Sequence, residues 1–182
     1  MTFLQSKMRA LSYFIISLLL GFTSCFTVPE FPLAPSISLN SAYFQEEPQT
    51  DYIYLTINYK DGDGDLGLNK EDLTVSPFIE FIDSAGTQIR NPNHFNIFPV
   101  LLRKNGEKYE DVTVANYDGI FPRLREANFK KGPIEGTLQY KMGSLNFFGQ
   151  DSSIAKVRLY IQDRNLNKSN IIETPPFPVI YR

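Results

Sequence analysis

The sequence predicts an all-β chain, and three observations carry that expectation. From Ile37 onward it consists of short β-branched and aromatic runs separated by Gly, Pro, Asn and Asp clusters. No window keeps a sustained helical period. Two of the runs alternate strictly. In 51–60, Ile53, Leu55, Ile57 and Tyr59 share one face, and Tyr52, Tyr54, Thr56, Asn58 and Lys60 share the other. In 154–162, Ala155, Val157, Leu159 and Ile161 oppose Lys156, Arg158, Tyr160 and Gln162. Each run ends alike, because the next inward position is a carboxylate: Asp61 after the first and Asp163 after the second. If these strands face each other in a sandwich, both carboxylates come to one rim of the core.

The remaining strands are expected at 37–44, 78–83, 109–115, 134–140 and 171–181, with Ser84-Ala85-Gly86 as one of the turns. About seven strands in a domain of this size predict an immunoglobulin-like antiparallel β-sandwich. Pro175, Pro176 and Pro178 make the last strand an edge, since proline cannot donate to a ladder. The stretch 91–133 is too long for one connection and shows no clear strand pattern, so an elaborated middle segment with one or two extra strands is expected. In such a sandwich the loops after the second and the penultimate strands lie at the same end.

The chain opens like an export signal: Lys7 and Arg9, then an apolar run from Ala10 to Phe22, then Thr23-Ser24 before the only cysteine, Cys25. The run is too short to span a bilayer comfortably. Leu20-Gly21-Phe22-Thr23-Ser24-Cys25 resembles the lipobox of bacterial lipoproteins, which implies acylation of Cys25 as the mature N-terminus. The alternative is an uncleaved anchor running on through Phe26 and Val28. The expected organisation is a signal peptide over 1–24, a proline-rich tether over 25–36 with Pro29, Pro32 and Pro35, and one sandwich domain over 37–182. Phe26 rather than aspartate follows Cys25, so the expected location is the outer membrane; 26–30 lacks the acidic cluster that sends some lipoproteins to the cell surface, so the periplasmic face is expected, with the cell surface as the alternative. Losing the signal takes the net charge from −2 to −4, which argues against a nucleic-acid partner. A lone cysteine excludes internal disulfides.

Asp61-Gly62-Asp63-Gly64-Asp65-Leu66-Gly67 puts three carboxylates within five residues, with glycines that let the backbone turn between them. Like charges this close repel by about 1 kcal/mol per pair even in water, and a hard cation neutralises them. Calcium is expected, because it takes oxygens from alternate carboxylates and backbone carbonyls in a flexible loop. The expected ligands are Asp61, Asp63, Asp65 and Asp163, with the Gly67 carbonyl, and Asp72 or Asn165 completing the shell. An EF-hand is a poor fit, because Leu66 stands at its glycine, Asp72 at its glutamate, and a strand precedes the loop. A metal-free turn balanced by Arg164 and Lys168 is the alternative. The pairing of this loop with Asp163-Arg164-Asn165-Leu166-Asn167-Lys168-Ser169-Asn170 resembles a group of Gram-negative envelope lipoproteins, mostly of unassigned function. The resemblance implies the sandwich and the envelope location.

Little in the chain supports catalysis. His94 is the single histidine and lies in the middle segment, with no nucleophile motif beside it. Arg123, Arg125, Lys130 and Lys131 read as a solvated basic loop. The expected function is a non-enzymatic, lipid-anchored envelope module that binds another envelope protein, a glycan or a peptide. Tyr52 and Tyr54 are candidate contacts for a sugar. The alternative is an envelope enzyme, a hydrolase of glycan or peptide, with its site in the middle segment.

Overall fold

The computed structural model describes residues 29–48, 50–112, 116–125, 130–143 and 153–179. The expected signal peptide, Cys25 and the first tether residues lie outside them. Ten strands are described, all paired antiparallel: β1 Ser36–Gln45, β2 Tyr52–Asp61, β3 Phe81–Ser84, β4 Thr87–Arg90, β5 Ile97–Asn105, β6 Lys108–Asp111, β7 Ile134–Gly143, β8 Ser153–Ile161, β9 Ile172–Glu173 and β10 Phe177–Val179. One sheet has the order β1-β2-β7 and the other β10-β8-β5-β6, with β9 also on β8. That is the strand arrangement of an immunoglobulin-like sandwich, in which the first, second and fifth strands oppose the third, sixth and seventh. The expected fold is the observed one.

The two alternating runs form the facing walls of the core. Ile53, Leu55 and Ile57 of β2 and Val157, Leu159 and Ile161 of β8 are at most 1% exposed, and Leu138, Met142, Ile37, Phe177 and Val179 pack with them. Asp61 and Asp163 continue the inward phase of their strands and are themselves buried. Tyr59 is half-buried, packed against the core margin. β1 slips one residue in register between Leu39 and Ser41, so Ala42 and Phe44 turn inward beyond the irregularity.

One extra strand expected in the middle segment is present as an interior one, and two further elements differ from the sequence-based expectation. The stretch 91–133 contains β5, an interior strand of the second sheet. Its buried run Ile97-Phe98-Pro99 does not alternate, and Pro99 reads as a strand breaker. Ile97 exchanges both backbone bonds with Gly119, and Leu101 accepts from Val112. The alternate residue between them, Pro99, therefore turns its donor-less nitrogen away from β8, where no ladder bond is lost. The strand expected at 78–83 begins only at Phe81 and pairs with an unforeseen β4. The two-residue turn Ala85-Gly86 has positive φ at both positions (54° and 83°), the geometry that suits the twist of a tight hairpin. Asn91 ties the hairpin base to the domain by donating to the carbonyls of Pro77 (2.7 Å) and Ile79 (2.8 Å). The last expected strand is two short ones, β9 and β10, interrupted around Pro175 and Pro176. The strand expected at 109–115 is described only as β6, because 113–115, like 180–182, lies outside the described residues.

Leu55 and Ile89 test this division of core and surface. Leu55→Ala should cost about 2–5 kcal/mol by urea denaturation, through lost burial and a residual cavity. Ile89→Ala, 43% exposed on the hairpin, should stay within about 0.5 kcal/mol.

Candidate metal centre

Asp61 ends β2 and shapes the turn after it. Its Oδ2 accepts from the backbone N–H of Gly64 (2.8 Å) and of Asp65 (3.0 Å). Gly64 (φ 73°) and Gly67 (φ 90°) adopt left-handed conformations that suit glycine. They also lie against the middle segment: a Cβ on Gly67 would sit 2.1 Å from the Pro122 carbonyl oxygen, and one on Gly64 2.6 Å from that of Gly132. The loop is stitched to that segment by Leu68 N–H to Phe121 O (3.1 Å), Leu124 N–H to Leu66 O (3.2 Å) and Gly132 N–H to Asp63 O (3.1 Å). Leu66 and Leu68 anchor it in the interior, at 0% and 4% exposure.

This path gathers the three carboxylates. One oxygen from each of Asp61, Asp63 and Asp65 lies within 4.8 Å of the other two, an arrangement that could hold a metal ion. The Oδ1 atom of each is buried and makes no hydrogen bond among the described residues. Buried carboxylate oxygens without a partner are costly, and three together form a set of hard oxygen donors.

The loop after β8 meets this group from the opposite sheet. Arg164 N–H donates to Asp65 O (3.4 Å), and Asn165 Nδ2 donates to Asp63 Oδ2 (3.2 Å). Asp163 is buried beside them, and its charge acts on both Asp61 and Asp65. Asn167 engages both of its oxygens, through N–H to Oδ1 (2.7 Å) and Nδ2 to Oδ2 (2.8 Å). Each oxygen keeps further acceptor capacity. The Gly67 carbonyl accepts from Arg164 Nη1 at 3.4 Å, a long contact.

Asp72 is placed otherwise. Its oxygens are taken by the Arg123 guanidinium in a two-point ion pair, and Oδ2 also accepts from Asn69 N–H (2.8 Å). Asn69 Oδ1 accepts in return from Asp72 N–H (2.9 Å). Burial alone would raise the Asp72 pKa, but these bonds outweigh it and hold the carboxyl below its ordinary value. Arg123 pairs with a residue 51 positions away, a role that its place in a basic loop does not reveal. The basic loop is therefore partly structural, since Arg125 also donates to the carbonyls of Lys130 (2.6 Å) and Pro133 (2.9 Å).

Neither expected residue forms an ion pair here, although the Arg164 charge acts on Asp65 and opposes the rise of its pKa. Lys168 Nζ sits 5.2 Å over the Tyr160 ring. Among the described residues no ion pair reaches Asp61, Asp63, Asp65 or Asp163. His94 stands apart from this rim, its Nδ1 2.8 Å from the Phe78 carbonyl and its ring edge-on to Phe95.

Without a cation Asp61, Asp65 and Asp163 hold their protons unusually well. Burial first, then the charges of Asp63 and Asp163, push Asp61 up to about 6 despite its two backbone bonds. Burial, then Asp163, Asp63 and Asp61, push Asp65 up to about 7. Burial raises Asp163 as well, against the bonds from Asn167. Between the unfolded carboxyl value of about 4 and these folded values, the native state binds more protons than the unfolded chain. Its stability therefore falls as pH rises. In chelator, the melting midpoint should drop steadily from about pH 4 to about pH 7 and level off above that. A midpoint that rose across this window would show that these carboxyls are ionised in the fold at little cost.

Compared with known proteins, the chain matches no protein-family model and no curated protein, so its functional reading rests on the chemistry of this rim.

Proposed function

We propose that the chain is a lipid-anchored, non-enzymatic module of the outer membrane, facing the periplasm, whose sandwich is stabilised by calcium at one end. The single observation that supports the calcium reading is the set of three buried, unpartnered Oδ1 atoms on Asp61, Asp63 and Asp65. Asp163 adds a fourth carboxylate from the facing loop. Gly67 offers a carbonyl, and a half-turn of the Asn165 amide would present Oδ1 in place of Nδ2. Asp72 braces the loop through Arg123 from outside this shell. Calcium suits the site better than magnesium, whose stricter octahedral shell tolerates an irregular loop poorly.

Phe31 lies directly over Gly62 of the acidic loop. Six residues take the chain from Cys25 to Phe31, a reach of at most about 20 Å, so a lipid on Cys25 keeps the rim close to the membrane. The opposite end of the sandwich then faces the compartment. That end carries Tyr43 stacked on Tyr54 at 5.2 Å, with Tyr52 beside them at 6.4 Å and Lys141 Nζ 3.6 Å over the Tyr52 ring. Aromatic rings with polar neighbours suit a glycan, a peptide or the surface of another envelope protein.

Two measurements test this. Extracellular calcium modules bind with dissociation constants of about 0.1–1 mM, so about 10 mM calcium should add about 1.4–2.7 kcal/mol. In a domain of this size that raises the melting midpoint by about 3–10 °C over chelator. Asp63→Ala should remove most of the gain and Glu107→Ala should leave it intact, whereas equal midpoints in both buffers would favour the metal-free turn. Separately, Cys25→Ser should abolish acylation and release the protein from the membrane fraction, and an unchanged, membrane-bound product would refute the anchor.

A further inference from the structure

The chain is held at two points as it enters the domain, one before β1 and one at the second residue of β1, and both contacts come from the loops that form the rim. The carbonyl oxygens of Phe31 and Pro32 press on Gly62 so closely that a Cβ there would lie 2.4 Å and 2.6 Å from them. Lys60 Nζ lies 5.2 Å over the Phe31 ring on the same side. Farther along, Asn170 Oδ1 accepts from Ile37 N–H (2.8 Å) while its Nδ2 donates to Ile37 O (2.9 Å). This amide occupies the place of a neighbouring strand at the free edge of β1. Gly62 sits between Asp61 and Asp63, and Asn170 closes the loop that begins at Asp163.

We propose that cation occupancy of the rim sets the direction in which the N-terminal segment leaves the domain. The proposal rests on the cation reading above and adds to it a coupling between that site and residues 29–35. With neither a cation nor protons to neutralise them, the three carboxylates repel, and spreading the backbone that carries them relieves that repulsion. Gly62 is part of that backbone, and its fit to Phe31 and Pro32 has no room for even one methyl group. Spreading therefore disturbs the floor on which the segment lies. Pro32 and Pro35 stiffen the segment, so a change at Gly62 alters its direction instead of being absorbed by local flexing. Coupling of this kind is reciprocal: whatever factor docking adds to cation affinity, the cation adds to docking.

The test uses the whole chain with Cys25→Ser, which removes its only thiol, and Leu33→Cys as the site for a nitroxide label. Leu33 is 64% exposed, so the label itself should disturb little. Melting and label mobility are measured in chelator and in calcium, and the same pair is repeated with Gly62→Ala and with the milder Phe31→Ala. The expected result is a label that tumbles several-fold more slowly in calcium than in chelator. In Gly62→Ala it should be mobile in both buffers, with calcium still raising the melting midpoint but binding more weakly. Phe31→Ala should show the same trend to a smaller extent. Calcium that raises the midpoint and leaves the spectrum unchanged overturns the coupling while the cation site stands. Calcium that changes neither overturns both, and variants indistinguishable from the parent overturn the coupling.

Discussion

The end of the sandwich depends on three carboxylates brought together out of water. Asp61 is fully buried because it continues the inward phase of β2, and its Oδ2 is satisfied by the two N–H groups of the turn it starts. The other oxygen, with its counterparts on Asp63 and Asp65, has no such partner among the described residues. Burying a carboxylate in this state is unfavourable unless it takes up a proton or a cation. The rim is thus a place where the fold carries a local cost, which a proton on Asp61 or Asp65 relieves.

Three stretches distant in sequence converge on this loop. The N-terminal segment lies on Gly62, the middle segment pairs with Leu66 and Leu68 and, through Gly132, bonds to the Asp63 carbonyl, and the loop after β8 reaches Asp63 and Asp65. The sandwich makes this convergence possible, because its second strand and the central strand of the facing sheet end at the same pole. The opposite pole is built differently, with Tyr43, Tyr52 and Tyr54 exposed or half-exposed and linked to Lys141 and Glu47. One pole concentrates unsatisfied acceptors, and the other presents amphipathic rings.

Much of the framework was legible in the residues. Strict alternation in β2 and β8 identified both core walls, and the same phase carried one step further identified Asp61 and Asp163 as inward. Alternation is a local property of a pleated strand half in and half out of the core, so it survives in the sequence. β5 was hidden because it is buried along most of its inner half, leaving a continuous apolar run with a proline in it. Tolerance of Pro99 depends on which side of the strand lacks a partner, and that is a property of the sheet rather than of the residue. The hairpin β3–β4 is exposed on both faces, so no burial pattern marked it, although Ala85-Gly86 gave its turn.

The fold class, the inward position of Asp61 and Asp163, and the clustering of carboxylates within one glycine-rich turn were all readable from local spacing, because each follows from the pattern along a single stretch of chain. Tertiary structure decided which acceptors are left over. Asp72 and Asp65 are the same residue type seven positions apart, yet Arg123 engages Asp72 from across the fold, while Asp65 faces Asp163 with no ion-pair partner among the described residues. Proximity of that kind comes from the packing of two sheets and the draping of a long segment over their rim. No local pattern encodes it, since the partners are separated by 51 residues in one case and 98 in the other.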